Sequence, residues 1–308
     1  MGLATMLFPI AKAGTGNQIV SLSDKTLASV IASSDSTARK DTAKQNQGST
    51  TELKWYDMIA HIPGDWAQYA NITFREQNIP FYLGVGTATT LLMLTDNQTY
   101  EPSKKLYANS TDARTISDIF VQLGDGSSQF ALAGAFGIYG FMEHDEKSLR
   151  TGSEIAEAIL AAGGVVQVLK HITGRESPFV SSSPTGLWRF FPNQLKYSKH
   201  VPHYDAFPSG HVCTSVVTVV VIQENYPEEK WISPVGYAIT GLVGVGMVNY
   251  GIHWYSDYPL AIAIGYTFGK IISHPELVGQ NDSHTSKSLS FFPFLSPHGS
   301  GATLDFVF

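Results

Sequence analysis

The chain has 308 residues, of which 43% are hydrophobic and only 15% are charged, and its formal net charge is -6. A disordered chain combines low hydrophobicity with high charge, so this composition excludes one. The mild acidity argues against a nucleic-acid partner. The single cysteine excludes an intramolecular disulfide framework and a thiolate-rich metal site. A protein with large buried helices, or one that contacts a membrane, is consistent with these numbers.

The N-terminal segment, residues 1–52, is predicted to be a polar arm. An apolar run at residues 3–10 precedes the small-residue site Ala-Lys-Ala at 11–13, as at the end of a secretory signal, but no basic region comes before it. A signal remnant and a chance apolar start both account for this pattern. Residues 34–51 contain almost no large apolar side chain, which is typical of a linker.

The central region, residues 53–275, is predicted to be an all-α domain built as a bundle of about six helices. Its apolar segments have lengths that suit helices better than strands, and Asp125, Ser153 and Ser209 are predicted N-caps. We favour a buried helical core over a protein whose helices all span a membrane, because several segments are short or interrupted by charge. The six segments cover residues 80–94, 127–142, 155–169, 211–223, 232–250 and 257–272.

The C-terminal tail, residues 276–308, changes character. Two short apolar and aromatic stretches, 288–294 and 303–308, flank a turn rich in glycine and proline, which predicts a short β-hairpin. The alternation and the terminal Phe308 resemble the last strand of bacterial outer-membrane barrels, and this favours a protein of the cell envelope.

Two motifs between residues 170 and 211 suggest a phosphate site. Lys170 and His171 close an apolar helix, where cations commonly compensate the helix dipole. The sequence Pro-Ser-Gly-His at 208–211 opens the next apolar helix. Ser209 can cap this helix, Gly210 lets an anion approach the backbone, and His211 can donate a proton to a leaving oxygen.

A third motif pairs His253 with Asp257, four residues later. On a helix the two side chains would share a face, and the carboxylate would hold one ring nitrogen and raise the basicity of the other. Such a histidine is a credible nucleophile toward phosphorus. Each motif alone also has an ordinary structural explanation, but the three together are far more specific.

Taken together, the motifs resemble the type 2 phosphatidic acid phosphatase superfamily, which includes lipid phosphate phosphatases, bacterial class A acid phosphatases and vanadium haloperoxidases. Its pattern is Lys-x6-Arg-Pro, then Pro-Ser-Gly-His, then Ser-Arg-x5-His-x3-Asp. The resemblance covers about residues 125–272. It implies a six-helix bundle that hydrolyses a phosphomonoester or a diphosphate through a phosphohistidine.

The resemblance also implies a role for each motif residue. His253 would attack phosphorus, Asp257 would orient it, and His211 would protonate the leaving alkoxide and later activate water. Lys170 and the backbone at Ser209 and Gly210 would hold the phosphate oxygens. No metal or cofactor is required, and vanadate could bind as a phosphate analogue.

Two arginines of the family pattern are absent from this sequence. Ser177 stands at the first position, and Gly246-Met247 replaces the Ser-Arg pair. Arg175, two residues before Ser177, is the predicted substitute among the phosphate ligands. Other cations that could reach the site from the loop before Pro208 are Arg189, Lys196 and Lys199.

Two further features have structural explanations. His200, His203, Asp205 and His211 form a cluster that we interpret as a polar active-site loop rather than a metal site. Cys213, two residues after His211 on an apolar helix, is predicted to be a packed core thiol.

The expected substrate is a phosphorylated small molecule or a lipid phosphate, because aromatic residues surround the motifs. The expected location is the bacterial cell envelope, either periplasmic or membrane-associated. Two alternatives stay open at this point: a vanadium-dependent haloperoxidase with the same cradle, and a non-catalytic envelope protein that keeps the fold as a binding or structural module.

Overall fold

This computed structural model describes residues 57–274, 289–296 and 299–306. The first of these ranges consists of helices, and its longest connection runs from Thr173 to Gln194 and contains one 3-10 turn. Four 3-10 turns lie between the helices, at Glu76–Asn78, Pro178–Val180, Val201–His203 and Tyr255–Asp257. The α-helices are α1 (Asp57–Ala60), α2 (Ile62–Thr73), α3 (Ile79–Met93), α4 (Asp96–Asn109), α5 (Thr111–Gly124), α6 (Gly126–Glu143), α7 (Glu146–Thr173), α8 (Gln194–Lys199), α9 (Gly210–Asn225), α10 (Ile232–Asn249) and α11 (Tyr258–Ser273).

The predicted helical bundle is confirmed, because each of the six apolar segments lies in one helix: α3, α6, α7, α9, α10 or α11. Asp125 and Ser209 cap α6 and α9 as predicted, since their side chains accept hydrogen bonds from the backbone N–H groups of Ser127 and Val212. The N-cap prediction for Ser153 is wrong. Helix α7 starts seven residues earlier behind Asp145, because buried polar residues with hydrogen-bond partners, such as Thr151, continue the helix.

Helices α2, α4 and α5 were not expected from the apolar pattern. Helix α4 is mostly polar and has Pro102 in its interior, so neither hydrophobicity nor propensity reveals it. Helix α5 alternates polar and apolar residues at helical spacing and is capped by Ser110, which accepts from the N–H of Ala113. Tertiary packing therefore adds helices that the composition of the segments does not show.

The core lies where α9 packs against α7 and α11. Side chains such as Ile155, Val217 and Phe268 are completely buried there, and Cys213 is a buried free thiol as predicted. The backbones of α9 and α11 approach closely at Gly265, where a Cβ atom would lie 2.5 Å from the Cys213 carbonyl oxygen. This close packing fixes the start of α9 relative to the loop before α11, and both ends carry predicted site residues.

The C-terminal tail contains two strands, β1 (Leu289–Ser296) and β2 (Gly299–Phe306), which pair antiparallel from Leu289 opposite Phe306 to Ser296 opposite Gly299. The helical region 57–274 contains no such strand. The predicted polar arm at residues 1–52 lies outside the described residues.

Two helices, α7 and α10, are long and apolar enough to cross a membrane on length and composition alone, among the helices of the described region. Helices α5, α6 and α10 also expose large apolar side chains. Examples are Ile119 (53% exposed), Phe141 (76%) and Leu242 (41%).

Candidate active site

The end of α7 and the start of α9 meet at one cluster of polar groups. Lys170 lies in the last turn of α7, buried except for 5% of its surface. A Cβ atom added to Gly210 would meet nothing closer than the Lys170 Nζ, at 3.9 Å. The ammonium group therefore faces the first residue of α9, where unpaired N–H groups and the positive end of the helix dipole favour an anion. Lys170, Ser209 and Gly210 thus come together in the expected arrangement.

His253 is buried beside the same cluster, and its neighbours determine its tautomer. Its Nδ1 lies 2.7 Å from the Ala206 carbonyl oxygen and 3.5 Å from Asp257 Oδ2. Both groups only accept hydrogen bonds, so the neutral ring carries its proton on Nδ1 and has its lone pair on Nε2. His253 and Asp257 come together through a loop and the 3-10 turn at Tyr255–Asp257 rather than along one α-helix face, and the shorter contact of Nδ1 is with the backbone.

His211 stands opposite His253 in the second position of α9. The two ring centroids are 6.4 Å apart and the rings are steeply inclined at 63°. Burial lowers the pKa of His211 to about 4, and the neighbouring His253 and Lys170 act in the same direction. Asp125, whose Oδ2 is 3.9 Å from His211 Nε2, tends to raise this pKa. The imidazole is therefore neutral at pH 7 before an anion enters the site.

Arg175 lies elsewhere than predicted, and its assignment as a phosphate ligand is corrected. The side chain is completely buried, and all five N–H groups of its guanidinium donate inside the protein. Its partners are the carboxylates of Asp96 and Asp257, the hydroxyl of Ser256 and the carbonyl oxygen of Thr185. Arg175 has no donor left for a ligand. It contacts Asp257, which in turn lies beside His253.

A second buried acid, Glu176, organises the loop between α7 and α9. Burial alone would raise the pKa of Glu176, but N–H groups of Ser182 and Leu187 and the guanidinium of Arg189 lower it to about 2. Arg189 Nη2 lies 2.7 Å from Glu176 Oε1. Arg189 therefore holds this loop, and the Glu176 carboxylate partly neutralises the charge of Arg189.

The positions of the two absent family arginines are buried. Ser177 exposes 2% of its surface and Met247 none. Gly246 is also a buried residue of α10. Lys196 and Lys199 lie on the exposed surface of the short helix α8. Lys170 is thus the cation that faces Gly210 among the residues considered for the cradle.

The described residues contain no group of three or more histidine, cysteine or acidic side chains arranged to hold a metal ion. Within the predicted cluster, Asp205 instead contacts Lys170, with its Oδ2 2.9 Å from Nζ, and accepts a hydrogen bond from the Tyr197 hydroxyl. His203 Nδ1 lies 3.6 Å from Glu176 Oε1.

Sequence reasoning missed two contributions to the site. Asp96, at the start of α4, is completely buried and bonds Arg175 across 79 positions of sequence. No motif includes it, and only its unusual position among the apolar packing distinguishes it from other acidic residues. The Ala206 carbonyl that holds His253 belongs to the backbone, so residue identity could not reveal it.

A family model matches part of this chain. Residues 152–275 match the model of the PAP2 superfamily, which confirms the resemblance drawn from the motifs. A search of curated proteins finds no match to this chain.

Two solved structures are similar. A transmembrane PAP2 type phosphatidylglycerolphosphate phosphatase from Bacillus subtilis has 14% identity and a TM-score of 0.46, with 67% of this chain and 98% of that chain covered. LpxE from Aquifex aeolicus has 19% identity and a TM-score of 0.42, with 57% and 92% covered.

The contact between Lys170 and Asp205 yields a prediction about anion binding. In the variant Asp205→Asn, a bound phosphate would no longer face a neighbouring carboxylate, and Lys170 would lose its competing partner. We expect inorganic phosphate to bind about tenfold more tightly, a change of ~1.4 kcal/mol, as measured by isothermal titration calorimetry.

The matched control is Asp112→Asn, which removes the same charge from an exposed position in the first turn of α5. It should leave the affinity unchanged. Unchanged or weaker binding in Asp205→Asn would instead mean that the carboxylate holds Lys170 in its binding position.

Proposed function

We propose that this chain, which carries a PAP2 superfamily domain at residues 152–275, is a phosphatase that hydrolyses a phosphomonoester or diphosphate through a phosphohistidine. The observation that carries this proposal is the facing pair of imidazoles beside Lys170 and the start of α9. His253 has its Nε2 lone pair free, and His211 stands opposite with 6.4 Å between the ring centres. Two imidazoles this close can both act on one phosphoryl group bound beside them.

In the proposed reaction, His253 Nε2 forms a bond to phosphorus while the bond from phosphorus to the leaving oxygen breaks. His211, in its protonated form, gives its proton to that oxygen, so the leaving group departs as an alcohol or a phosphate. The second step reverses the roles. Neutral His211 takes a proton from water, the resulting hydroxide attacks phosphorus, and the bond to His253 breaks to release inorganic phosphate.

The charge of the substrate itself supports the acid role of His211. In the free protein, burial and the positive charge of Lys170 hold its pKa at about 4. A phosphate anion bound beside Lys170 and the start of α9 would oppose both influences and favour the imidazolium. The phosphate oxygens would be held by Lys170 and the N–H groups at the start of α9. This cradle would be a divergent one, because buried Ser177 and Met247 stand where the family pattern has arginines.

An apolar groove beside the site supports a substrate with a hydrocarbon group. The groove has a volume of about 740 Å³ and runs between α6, α9 and α10. One end is lined by Ser215, one helical turn beyond His211, and the other by Tyr226 and Trp231, so it extends roughly 16 Å along α9. The buried polar groups in its wall bond one another, since the Gln129 side chain pairs with the hydroxyls of Ser215 and Thr218.

The same helices support association with a lipid membrane. Helices α6 and α10 line the groove and also expose large apolar side chains, including Ile138 (64% exposed) and Val245 (41%). Contiguous exposed apolar surface marks a contact with lipid or with another protein. A substrate chain in the groove would lie beside that surface, so a membrane is the partner that fits both features.

The proposed reaction predicts the effect of removing the nucleophile. The variant His253→Ala should lose at least about 10³-fold in kcat on phosphate monoesters, because no other group replaces the attacking nitrogen. Turnover is measured as phosphate release from a panel that includes lipid phosphates. Wild type quenched with alkali should retain a phosphate label on the protein that acid removes, and the variant should not.

The control is His200→Ala, a histidine of the loop before α9 that stays outside the pair. It should keep wild-type turnover. Equal background activity in wild type and His253→Ala would contradict the phosphatase proposal and favour a non-catalytic protein. Turnover of bromide only after addition of vanadate would favour the haloperoxidase alternative.

The second prediction concerns the groove. Each buried methylene contributes about 0.8 kcal/mol, so two methylenes in the groove would raise kcat/KM roughly tenfold. We expect a long-chain alkyl phosphate, used below its micellar concentration, to be hydrolysed more efficiently than butyl phosphate by at least this factor. Val235→Trp, which fills the groove, should reduce that advantage and leave butyl phosphate unaffected.

Val245→Trp places the same side chain on α10 at an exposed position that does not line the groove, and it should preserve the preference. An equal kcat/KM for both substrates in wild type would rule out the groove as the site of the chain.

The third prediction concerns location. The full-length protein should sediment with the membrane fraction and be released by detergent but not by 1 M salt, because the exposed contacts are apolar rather than charged. The measurement is immunoblotting of fractions after ultracentrifugation. Recovery in the supernatant without detergent would contradict membrane association and leave the phosphatase proposal unaffected.

A further inference from the structure

A completely buried cluster of charged groups lies behind His253. Arg175 donates from Nη1 to Asp257 Oδ1 and to the Ser256 hydroxyl at 2.8 Å, and from Nη2 to Asp96 Oδ2 at 2.6 Å. The Ser256 hydroxyl in turn donates to Asp96 Oδ2 at 2.7 Å. None of the three charged side chains is exposed to solvent.

The two carboxylates contact different N–H groups of the guanidinium: Asp257 accepts from Nη1 and Asp96 from Nη2. Asp96 takes the Nη2 edge, so Asp257 receives only one guanidinium contact, on its Oδ1. Its other oxygen, Oδ2, accepts the Trp254 N–H at 2.7 Å and lies 3.5 Å from His253 Nδ1. This division matters because a free guanidinium prefers to bind one carboxylate through both oxygens, and that arrangement would turn Oδ2 of Asp257 away from the imidazole.

Two tryptophans restrict the guanidinium further. The Arg175 Cζ lies 5.0 Å from the ring centre of Trp188 and 5.6 Å from that of Trp254. The Trp254 ring is itself held by a hydrogen bond from Nε1 to the Glu176 carbonyl oxygen at 2.9 Å. The two rings confine the guanidinium to the place where Asp96 and Asp257 meet it, so loss of one acid leaves the other as its carboxylate partner.

We propose that Asp96 and Arg175 are positioning residues for the phosphoryl transfer: Asp96 fixes one edge of the Arg175 guanidinium so that Asp257 keeps an oxygen directed at His253 Nδ1. The inference rests on the proposed function, because it assigns His253 as the nucleophile. It adds a residue from outside the matched region, since Asp96 precedes residue 152 and belongs to α4. Neither residue touches the substrate.

The test compares Asp96→Asn with wild type. Asparagine keeps the shape of the side chain but removes its charge, so Arg175 is released toward Asp257. A small misplacement of a reacting group costs up to about 10²-fold in rate, and we expect kcat to fall by about 10- to 100-fold. KM should stay within about twofold, because the anion cradle of Lys170 and α9 is untouched.

The control for a purely structural effect is Glu154→Gln. Glu154 is a mostly buried acid that accepts from the Asn225 amide and lies sixteen residues, or about 24 Å, before Lys170 on α7. It should lower the melting temperature without lowering kcat at temperatures where it is folded. A similar loss of kcat in both variants would overturn the proposal.

If Asp96→Asn does not fold, Ser256→Ala decides. It removes the hydroxyl that joins Arg175 to Asp96 without unpairing a charge, and kcat should fall by about three- to tenfold with KM unchanged. A folded Asp96→Asn, or in its place a folded Ser256→Ala, with wild-type kcat would overturn the proposal.

The ring nitrogen shifts of His253 in ¹⁵N NMR test the positioning independently of turnover. Wild type should show one protonated and one unprotonated nitrogen, and Asp96→Asn should shift the Nδ1 resonance, because the Asp257 carboxylate moves while the Ala206 carbonyl stays in place. Absence of turnover in wild type would refute the phosphatase function, whereas unchanged His253 shifts in Asp96→Asn would refute the positioning role.

Discussion

The arrangement of the site depends on one buried guanidinium. Arg175 brings together the start of α4, the loop after α7 and the turn before α11, because its carboxylate partners Asp96 and Asp257 come from the first and the last of these. Removing one partner of a buried charge pair costs about 3–5 kcal/mol, so no member can be lost cheaply. Such clusters add little net stability compared with apolar packing, so this one is better explained by the geometry that it fixes around His253.

The motifs predicted the parts of the site that are local in sequence. Ser209 and Gly210 open a helix because a cap and a small residue precede an apolar run. Lys170 lies at the end of a helix, where a cation compensates the negative end of the helix dipole. These are properties of helix ends, so the sequence around them was sufficient. The pairing of His253 with Asp257 was also found by spacing, although it arises from a 3-10 turn and the imidazole bonds the Ala206 carbonyl more closely.

Contacts between distant segments could not be predicted from the sequence. Asp96 is an unremarkable acid in a polar helix until folding places it against Arg175, and the spacing between them has no periodicity to detect. Arg175 was expected to bind phosphate because a cation near a missing arginine is the obvious substitute. That expectation considered charge alone, whereas the fold decides which way the guanidinium points and supplies acceptors for all of its donors.

The low charge of the chain is explained by how its few charges are used. Arg175 is neutralised by two acids, Arg189 is bound to Glu176, and Lys170 faces both α9 and Asp205. The pocket therefore has little positive charge in excess, and N–H groups at the start of α9 would carry much of the work of binding an anion. A weakly charged cradle supplies less binding energy than a strongly charged one, so a second source would matter more to whether a substrate is held at all. The apolar groove that begins one turn beyond His211 is placed to provide it, which links the hydrophobic composition of the bundle to the chemistry at its polar end.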